Sequence, residues 1–191
     1  RQMTPEALLG GFADAPRQSA RAFRAALESM ARPGTLWSVE GAAPPAPLSV
    51  AAGVLILTLC DGTTPLHLGA SCDLPVVRDW VTFHTGAPLV TADQAQFALG
   101  TWADLVPVDR FAIGLPDYPD RAATLIVEMP NLENKGPRLT GPGIKVVAHL
   151  SLPETSAFRA NRALFPQGFD TYLTSGAHVA GLPRSTIVEA V

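Results

Sequence analysis

Lysine is scarce in this sequence, and that scarcity limits the chemistry open to the chain. Only Lys135 and Lys145 occur, against twelve arginines. An enzyme that uses pyridoxal phosphate needs a lysine for its Schiff base, and the amine must be desolvated to react. Lys135 falls in a polar loop followed by Gly and Pro, and Lys145 falls on a predicted strand two residues past a turn. Neither position favours an activated amine, so a lysine-dependent mechanism is disfavoured.

Charge is also sparse. Charged residues make up 16% of the chain, hydrophobic residues make up 47%, and the net charge is −3. With no excess of positive charge, the composition does not favour binding to nucleic acid or to an anionic membrane. The longest apolar run, residues 54–59, is far too short to span a bilayer. So few charges predict that another protein chain covers part of the surface.

Two cysteines are present, Cys60 and Cys72, and they do not form a CxxC motif. The sequence also shows no secretory signal. We therefore expect both thiols to be reduced, as in a cytoplasmic protein.

Several well-known catalytic motifs are missing. The sequence has no GxxxxGK[ST], GxGxxG, HExxH or GxSxG motif. Its four histidines are scattered, and none is spaced with cysteine or carboxylate as metal ligands are. The sequence therefore predicts neither a cofactor nor a metal.

Strand-like and helix-like segments alternate along most of the chain, which predicts an α/β fold with a layered mixed sheet, flanking helices and inserted antiparallel hairpins. Residues 1–12 are weakly patterned and are expected to be loosely ordered, and residues 13–191 are expected to form a single α/β domain. A helix is predicted over residues 17–31, with Ala20, Phe23, Leu27 and Met30 on one face. Its arginines at 17, 21 and 24 form either a solvated face or a face that docks a partner.

Two further stretches shape the predicted fold. Residues 124–129 and 138–140 are predicted to be strands of one hairpin, ended by the rigid corner Gly141-Pro142-Gly143. Ser49 can cap a helix that runs to about Cys60. Because that helix is apolar on nearly all sides, it should be buried between layers or against another subunit.

Three stretches combine hydrogen-bond donors with a rigid Gly or Pro corner, as a phosphate or phosphonate pocket requires. The candidate residues that face an anion or a partner are His84 and Thr85, Arg138 and Thr140, and Arg184 and Thr186. Each stretch also has a purely structural interpretation. His84 can be a structural histidine at a helix end. The stretch with Arg138 can be a plain sheet edge with a tight corner, and Arg184 can form an ion pair. Convergence of the three stretches is not predictable from the sequence.

Six motifs in order resemble the H subunit of the bacterial carbon–phosphorus lyase system. They are FRAALESMARPG at 23–34, LTLCDGTTP at 57–65, FHTGAPLV at 83–90, RLTGPGI at 138–144, FPQGFD at 165–170 and LPRST at 182–186. Each motif alone is weak, but all six in the same order are specific. The resemblance extends from about Ala13 to the C-terminus.

The resemblance implies a fold like that of pyridoxal phosphate-dependent transferases, with no cofactor site retained. It also implies a homodimer in isolation, and a core complex with the G, I and J subunits in phosphonate degradation. That complex is expected to transfer an alkyl phosphonate to the ribose C1′ of MgATP, with release of adenine, giving a ribose 1-phosphonate 5-triphosphate. The family has no catalytic residue on this subunit that could be carried over.

Three hypotheses follow. The chain is a non-catalytic subunit whose task is assembly, or a subunit that also binds phosphonate or triphosphate in a cleft lined by His84, Arg138 or Arg184. The least favoured hypothesis is a free-standing lysine-dependent enzyme.

Overall fold

The computed structural model describes residues 2–191. The helices over these residues are α1 (Pro5–Leu8), α2 (Ala15–Ala31), α3 (Val50–Leu59), α4 (Pro75–Thr85), α5 (Trp102–Leu105) and α6 (Ser156–Ala163). The strands are β1 (Trp37–Ser38), β2 (Leu66–Leu68), β3 (Phe97–Thr101), β4 (Thr124–Glu128), β5 (Arg138–Thr140), β6 (Ala148–His149), β7 (Asp170–Ser175), β8 (His178–Leu182) and β9 (Ile187–Val188). Two short 3₁₀ helices span Ala92–Gln94 and Val108–Arg110.

A six-stranded mixed sheet forms the centre of the fold, with the strand order β1-β8-β7-β4-β3-β2. Strands β2, β3, β4 and β7 are parallel, whereas β8 and β1 run antiparallel to their neighbours. A second sheet has three antiparallel strands in the order β6-β5-β9. The predicted α/β class, with a mixed sheet and flanking helices, is confirmed.

Each face of the large sheet packs against its own hydrophobic layer. Along β4, the side chain of Ile126 joins one apolar cluster, and those of Leu125 and Val127 join the other, as the two-residue period of a strand requires. Helices α1 to α4 contribute to the first cluster, whereas α5, α6 and the small sheet contribute to the second. Any site on α4 therefore lies on the opposite face from the small sheet.

Helix α3 confirms the prediction made from its uniform apolar sequence. The Ser49 hydroxyl accepts a hydrogen bond from the Ala52 amide, and the six residues 51–56 are all buried. Full burial of a side chain such as Leu55 or Ile56 stabilises the fold by about 1.5–3 kcal/mol. The helix is buried between the sheet and its neighbouring helices because no side of it is polar.

The predicted hairpin of residues 124–129 with 138–140 is wrong. Both segments are strands, but β4 pairs with β3 and β7, whereas β5 pairs with β6 and β9 in the small sheet. The physical reason is that β4 is buried between two parallel neighbours in the middle of the large sheet, which leaves no free edge for β5.

From the sequence alone, Asp73 is expected to cap the helix that follows it, and residues 151–154 fit a capping box; both expectations are wrong. The Asp73 carboxylate accepts a hydrogen bond from Arg78 at 2.7 Å, and α4 begins after Leu74 without a side-chain cap. The predicted capping box at residues 151–154 does not form, because α6 begins only at Ser156. Glu154 instead accepts hydrogen bonds from Trp102 Nε1 at 2.7 Å and from the Ser156 hydroxyl at 2.5 Å.

The described part of the N-terminal segment contacts the rest of the chain. Helix α1 packs against α4, and Ala7 is fully buried. The Leu9 carbonyl accepts a hydrogen bond from Trp80 Nε1 at 2.9 Å. The loose order expected for residues 1–12 stays a prediction, alongside these contacts of residues 2–12. The single-domain assignment of residues 13–191 also stays a prediction.

Candidate functional site

Two of the three predicted anion-facing stretches lie side by side. Strands β5 and β9 pair with Thr140 opposite Ile187 and Leu139 opposite Val188. The chain at Gly141 adopts φ +120°, and a Cβ atom there would lie 3.2 Å from the Ser185 carbonyl oxygen. The small sheet therefore brings Thr140 next to the corner that carries Arg184 and Thr186, whereas Arg138 lies at the other end of β5, opposite Glu189.

The two arginines of these stretches already have acidic partners. Arg184 donates through Nε to Asp170 Oδ1 at 3.1 Å and through Nη2 to Asp170 Oδ2 at 2.9 Å. Its Nη1 contacts the carbonyl oxygens of Pro119 and Pro166. Arg138 Nε lies 3.6 Å from Glu189 Oε1, on side chains that are about half exposed. Arg184 thus forms the ion pair that was its structural alternative.

The threonines of the corner differ in exposure. Thr140 is half-buried on β5. Thr186 is buried, and its Oγ1 has no hydrogen-bond partner within the described part of the chain. Because Thr186 is covered by protein, its hydroxyl does not face solvent where an anion would arrive.

The third stretch lies on the opposite face of the large sheet. The Thr85 hydroxyl donates to the Val81 carbonyl at 2.7 Å and accepts from the Ala87 amide at 3.1 Å, so it completes the end of α4. His84 Nε2 lies 3.2 Å from the Leu9 carbonyl oxygen, and its ring lies tilted against the Trp80 ring with centroids 5.2 Å apart. These contacts are those of a structural histidine near a helix end, and they do not join His84 to the small sheet.

A cavity with both polar and apolar walls, which the sequence did not predict, opens at the carboxyl ends of β3, β4 and β7. Its volume is about 690 Å³, and it is lined by Thr101, Glu128 and Ser175 from these strand ends and by Trp102 of α5. Ligands of open α/β sheets bind preferentially at the carboxyl ends of parallel strands. This position makes the cavity the candidate functional site.

Glu128 forms the floor of this cavity through a fixed hydrogen-bond network. Its Oε2 accepts from the Ser49 amide at 2.8 Å, and its Oε1 accepts from the Ser49 hydroxyl at 2.6 Å. The Thr174 hydroxyl donates to Oε1 as well. The carboxylate therefore lies at the N-terminus of α3, where the helix dipole stabilises negative charge.

Asp104 adds a second carboxylate beside Gly100 and Gly69. The Ser71 hydroxyl and amide and the Thr101 amide donate to it. Burial raises the pKa of Asp104, but these hydrogen bonds to the charged form outweigh burial, and the net pKa is lowered. A Cβ atom on Gly69 or Gly100 would lie within 3 Å of the Asp104 Cβ, so only glycine leaves room for the carboxylate here.

Cys72 follows Ser71 and lies close to both carboxylates. Its thiol is buried, and burial raises the pKa to about 11, with further contributions from the charges of Asp104 and Glu128. The thiol is therefore neutral at physiological pH and is not an activated nucleophile.

Neither lysine has the surroundings of a Schiff-base amine. Lys135 and Lys145 are both exposed, in the loops on either side of β5. Among residues 2–191, no group of three or more His, Cys, Asp or Glu side chains is placed to hold a metal ion. None of the helices over these residues is long and apolar enough to cross a membrane.

The sequence did not predict this cavity, because the predicted site was an anion pocket of arginine and histidine beside glycine corners. The available signal was the polar residue at the end of each buried strand: Thr101, Glu128 and Ser175. Once these strands are taken as parallel, their carboxyl ends must meet at one edge. The partner of Glu128, Ser49, is 79 positions away and gave no local signal.

Comparison with known proteins identifies the family. Residues 10–189 match the family described as bacterial phosphonate metabolism protein (PhnH). The chain is 42% identical, over 94% of both proteins, to the alpha-D-ribose 1-methylphosphonate 5-triphosphate synthase subunit PhnH of Rhizobium meliloti (strain 1021). It is 30% identical to the putative C-P lyase subunit protein HtxG of Stutzerimonas stutzeri, over 90% of this chain and 86% of that one. The resemblance detected in the six motifs is thus confirmed, and the chain belongs to the PhnH family of bacterial phosphonate metabolism proteins.

Proposed function

We propose that this chain is a subunit of a bacterial carbon–phosphorus lyase core complex and takes part in the catabolism of organic phosphonates. In this role it supports transfer of an alkyl phosphonate to the ribose C1′ of MgATP with release of adenine. The observation that carries the proposal is the 42% identity, over 94% of both chains, to a subunit of ribose 1-methylphosphonate 5-triphosphate synthase. A match of this extent leaves little of the chain without a counterpart in that subunit.

The proposed role is assembly rather than catalysis by this chain alone. Arg184 is held by Asp170, and Arg138 lies 3.6 Å from Glu189, so a phosphonate would have to compete with these acidic side chains. Large apolar side chains are exposed instead: Phe23 at 47%, Leu27 at 55% and Val146 at 74%. Apolar surface of this kind favours contact with other chains. The proposed partners are a second copy of the chain in isolation and the G, I and J subunits in a cytoplasmic complex.

The fold is further proposed to be that of pyridoxal phosphate-dependent transferases without the cofactor. Support comes from the mixed sheet with four parallel strands and helices on both faces. The exposure of Lys135 and Lys145 favours loss of the cofactor, because a Schiff-base lysine must be desolvated to react. The same observation disfavours a free-standing lysine-dependent enzyme.

A second candidate is a subunit that itself contacts phosphonate or nucleotide. The specific observation in its favour is that β5 pairs with β9, so the end of β5 at Thr140 borders the corner that carries Arg184 and Thr186. His84 does not belong to that cleft, because α4 lies on the other face of the large sheet. An anion would have to displace Asp170 from Arg184, and this requirement ranks the candidate second.

The test is complementation. A strain of the source bacterium from which this gene is deleted should fail to grow on methylphosphonate as its sole source of phosphorus and should grow normally on inorganic phosphate. A tagged copy of the chain should restore growth and co-purify with the other complex subunits. A well-expressed, folded copy that neither restores growth nor co-purifies with them would overturn the proposal.

A further inference from the structure

The cavity above Glu128 has a chemistry that the predicted anion corner lacks. We propose that it binds an aminopurine nucleoside, with the exocyclic amine donating to Glu128 and the phosphate chain directed out of the cavity. The inference rests on the proposed function, in which MgATP is consumed and adenine is released. It assigns the nucleoside end of that substrate, or the released base, to this chain.

Charge excludes an anion from the cavity. Of the described residues that line it, none is Lys, Arg or His, and Glu128 contributes a negative charge. The N-terminus of α3 is the place where a phosphate would otherwise bind, and the chain's own carboxylate lies there. A phosphonate or triphosphate group is therefore disfavoured inside the cavity.

The hydrogen-bonding capacity of Glu128 selects the kind of donor. An ionised carboxylate offers about four acceptor positions on its two oxygens. Oε1 accepts from the hydroxyls of Ser49 and Thr174, and Oε2 accepts from the Ser49 amide. One position on Oε2 is left, which suits a single N–H of an amino group.

The same count disfavours a basic side chain of another protein as the occupant. An ammonium group carries three donors and a guanidinium carries five, so most of them would stay unpaired over one acceptor position. An aminopurine NH₂ carries only two donors. The Ser151 hydroxyl also lines the cavity; it donates to the Glu133 carbonyl and accepts from the Glu133 amide, and it retains an acceptor lone pair for a second donor.

The walls of the cavity suit a flat ring. The Trp102 indole stacks on Phe158 with ring centres 5.1 Å apart, and its Nε1 donates to Glu154 at 2.7 Å, so the ring is held in place. Met129 and Leu152 add apolar surface. The volume of about 690 Å³ lies in the range of small-molecule sites and exceeds the needs of one nucleoside.

The experiment is calorimetric titration of the purified full chain with five probes: adenosine, adenine, inorganic phosphate, methylphosphonate and butylammonium. Heat of binding is expected from adenosine and adenine only. Asn131 is an exposed residue on the rim, so it provides a matched pair of variants. Asn131→Trp should fill the mouth and weaken adenosine binding by at least about tenfold, whereas Asn131→Ala should change it by less than about threefold.

A Glu128→Gln variant tests the acceptor directly, and its thermal unfolding midpoint is measured alongside because the carboxylate also holds Ser49 and Thr174. Loss of adenosine binding in Asn131→Trp supports the site even where the Gln variant is poorly folded. Binding of butylammonium, phosphate or methylphosphonate in place of adenosine overturns the site. A chain that restores growth on methylphosphonate but binds neither adenosine nor adenine overturns the site and leaves the proposed function intact. A chain that binds adenosine but fails to restore growth supports the site and overturns the proposed function.

Discussion

Replacing Arg184 with alanine is expected to lower the free energy of unfolding by about 3 kcal/mol. The wild-type guanidinium makes two hydrogen bonds to Asp170, at 3.1 and 2.9 Å, and contacts the carbonyl oxygens of Pro119 and Pro166. It therefore connects three separate segments of the chain. Alanine removes all these contacts and leaves the Asp170 carboxylate without its counter-charge.

The magnitude follows from burial. Removing one partner of a fully buried ion pair costs about 3–5 kcal/mol. The Arg184 side chain is 14% exposed and the Asp170 side chain is 28% exposed, so water recovers part of that loss and the lower end applies. The matched control is Arg138→Ala. Arg138 and Glu189 are 52% and 48% exposed and 3.6 Å apart, so their pair contributes about 0–1 kcal/mol.

The assay is urea unfolding followed by circular dichroism, on the wild type, both alanine variants, and the cycle of Arg184→Ala with Asp170→Asn. The cycle should give a coupling energy of about 2 kcal/mol, since the two residues are in direct contact. Equal losses for Arg184→Ala and Arg138→Ala, within about 0.5 kcal/mol, would refute the reasoning. Arg184 would then contribute little to stability, and the anion-binding role predicted from the sequence would be favoured over the ion pair.

Three further predictions follow from the structure. Ser49→Ala should destabilise the chain by about 1–2 kcal/mol in urea unfolding, because it removes both the cap of α3 and a hydrogen bond to Glu128. Burial raises the pKa of Cys60 from 9.0 to about 12 and that of Cys72 from 9.0 to about 11. As pH rises, the thiols ionise first in the unfolded chain. The stability due to the neutral thiols is therefore complete below pH 9.0 and is lost between pH 9.0 and about 12. A free energy of unfolding that stays constant over that pH range would contradict these pKa shifts. Gly181→Ala places a Cβ atom 2.3 Å from the Ser29 carbonyl oxygen of α2 and should lower the melting temperature, whereas Gly62→Ala meets only a contact at 3.8 Å and should leave it nearly unchanged.

Secondary structure was predictable where one signal dominated the local sequence. Helix α3 has a serine cap and an almost entirely apolar sequence, and β3 and β4 are short, mostly apolar segments bounded by loops. The cap predictions failed where the side chain binds another side chain instead of the helix N-terminus. Asp73 pairs with Arg78, and Glu154 accepts from Trp102, 52 positions away.

Pairing between strands was not predictable in the same way. Residues 124–129 and 138–140 have the spacing of a hairpin, but spacing does not reveal whether an edge is free. In the structure β4 has a parallel neighbour on each side, so β5 pairs elsewhere. The candidate cavity was missed for the same reason, because its residues come together only when the parallel strands are assembled.

Helix α2 shows what periodicity does and does not determine. Ala20, Phe23, Leu27 and Met30 were predicted to share one face, and a stripe of this kind usually faces the core of the same chain. Here the core is contacted by Ala22 and Ala26, whose small side chains let α2 approach Gly181 of β8, whereas Phe23 and Leu27 are about half exposed. The 3.6-residue period identifies an apolar stripe but carries no information on whether its partner belongs to the same chain. A stripe that stays exposed after the chain has folded is what the proposed assembly role requires, and it arises because the sheet selects the small residues of α2 rather than the large ones.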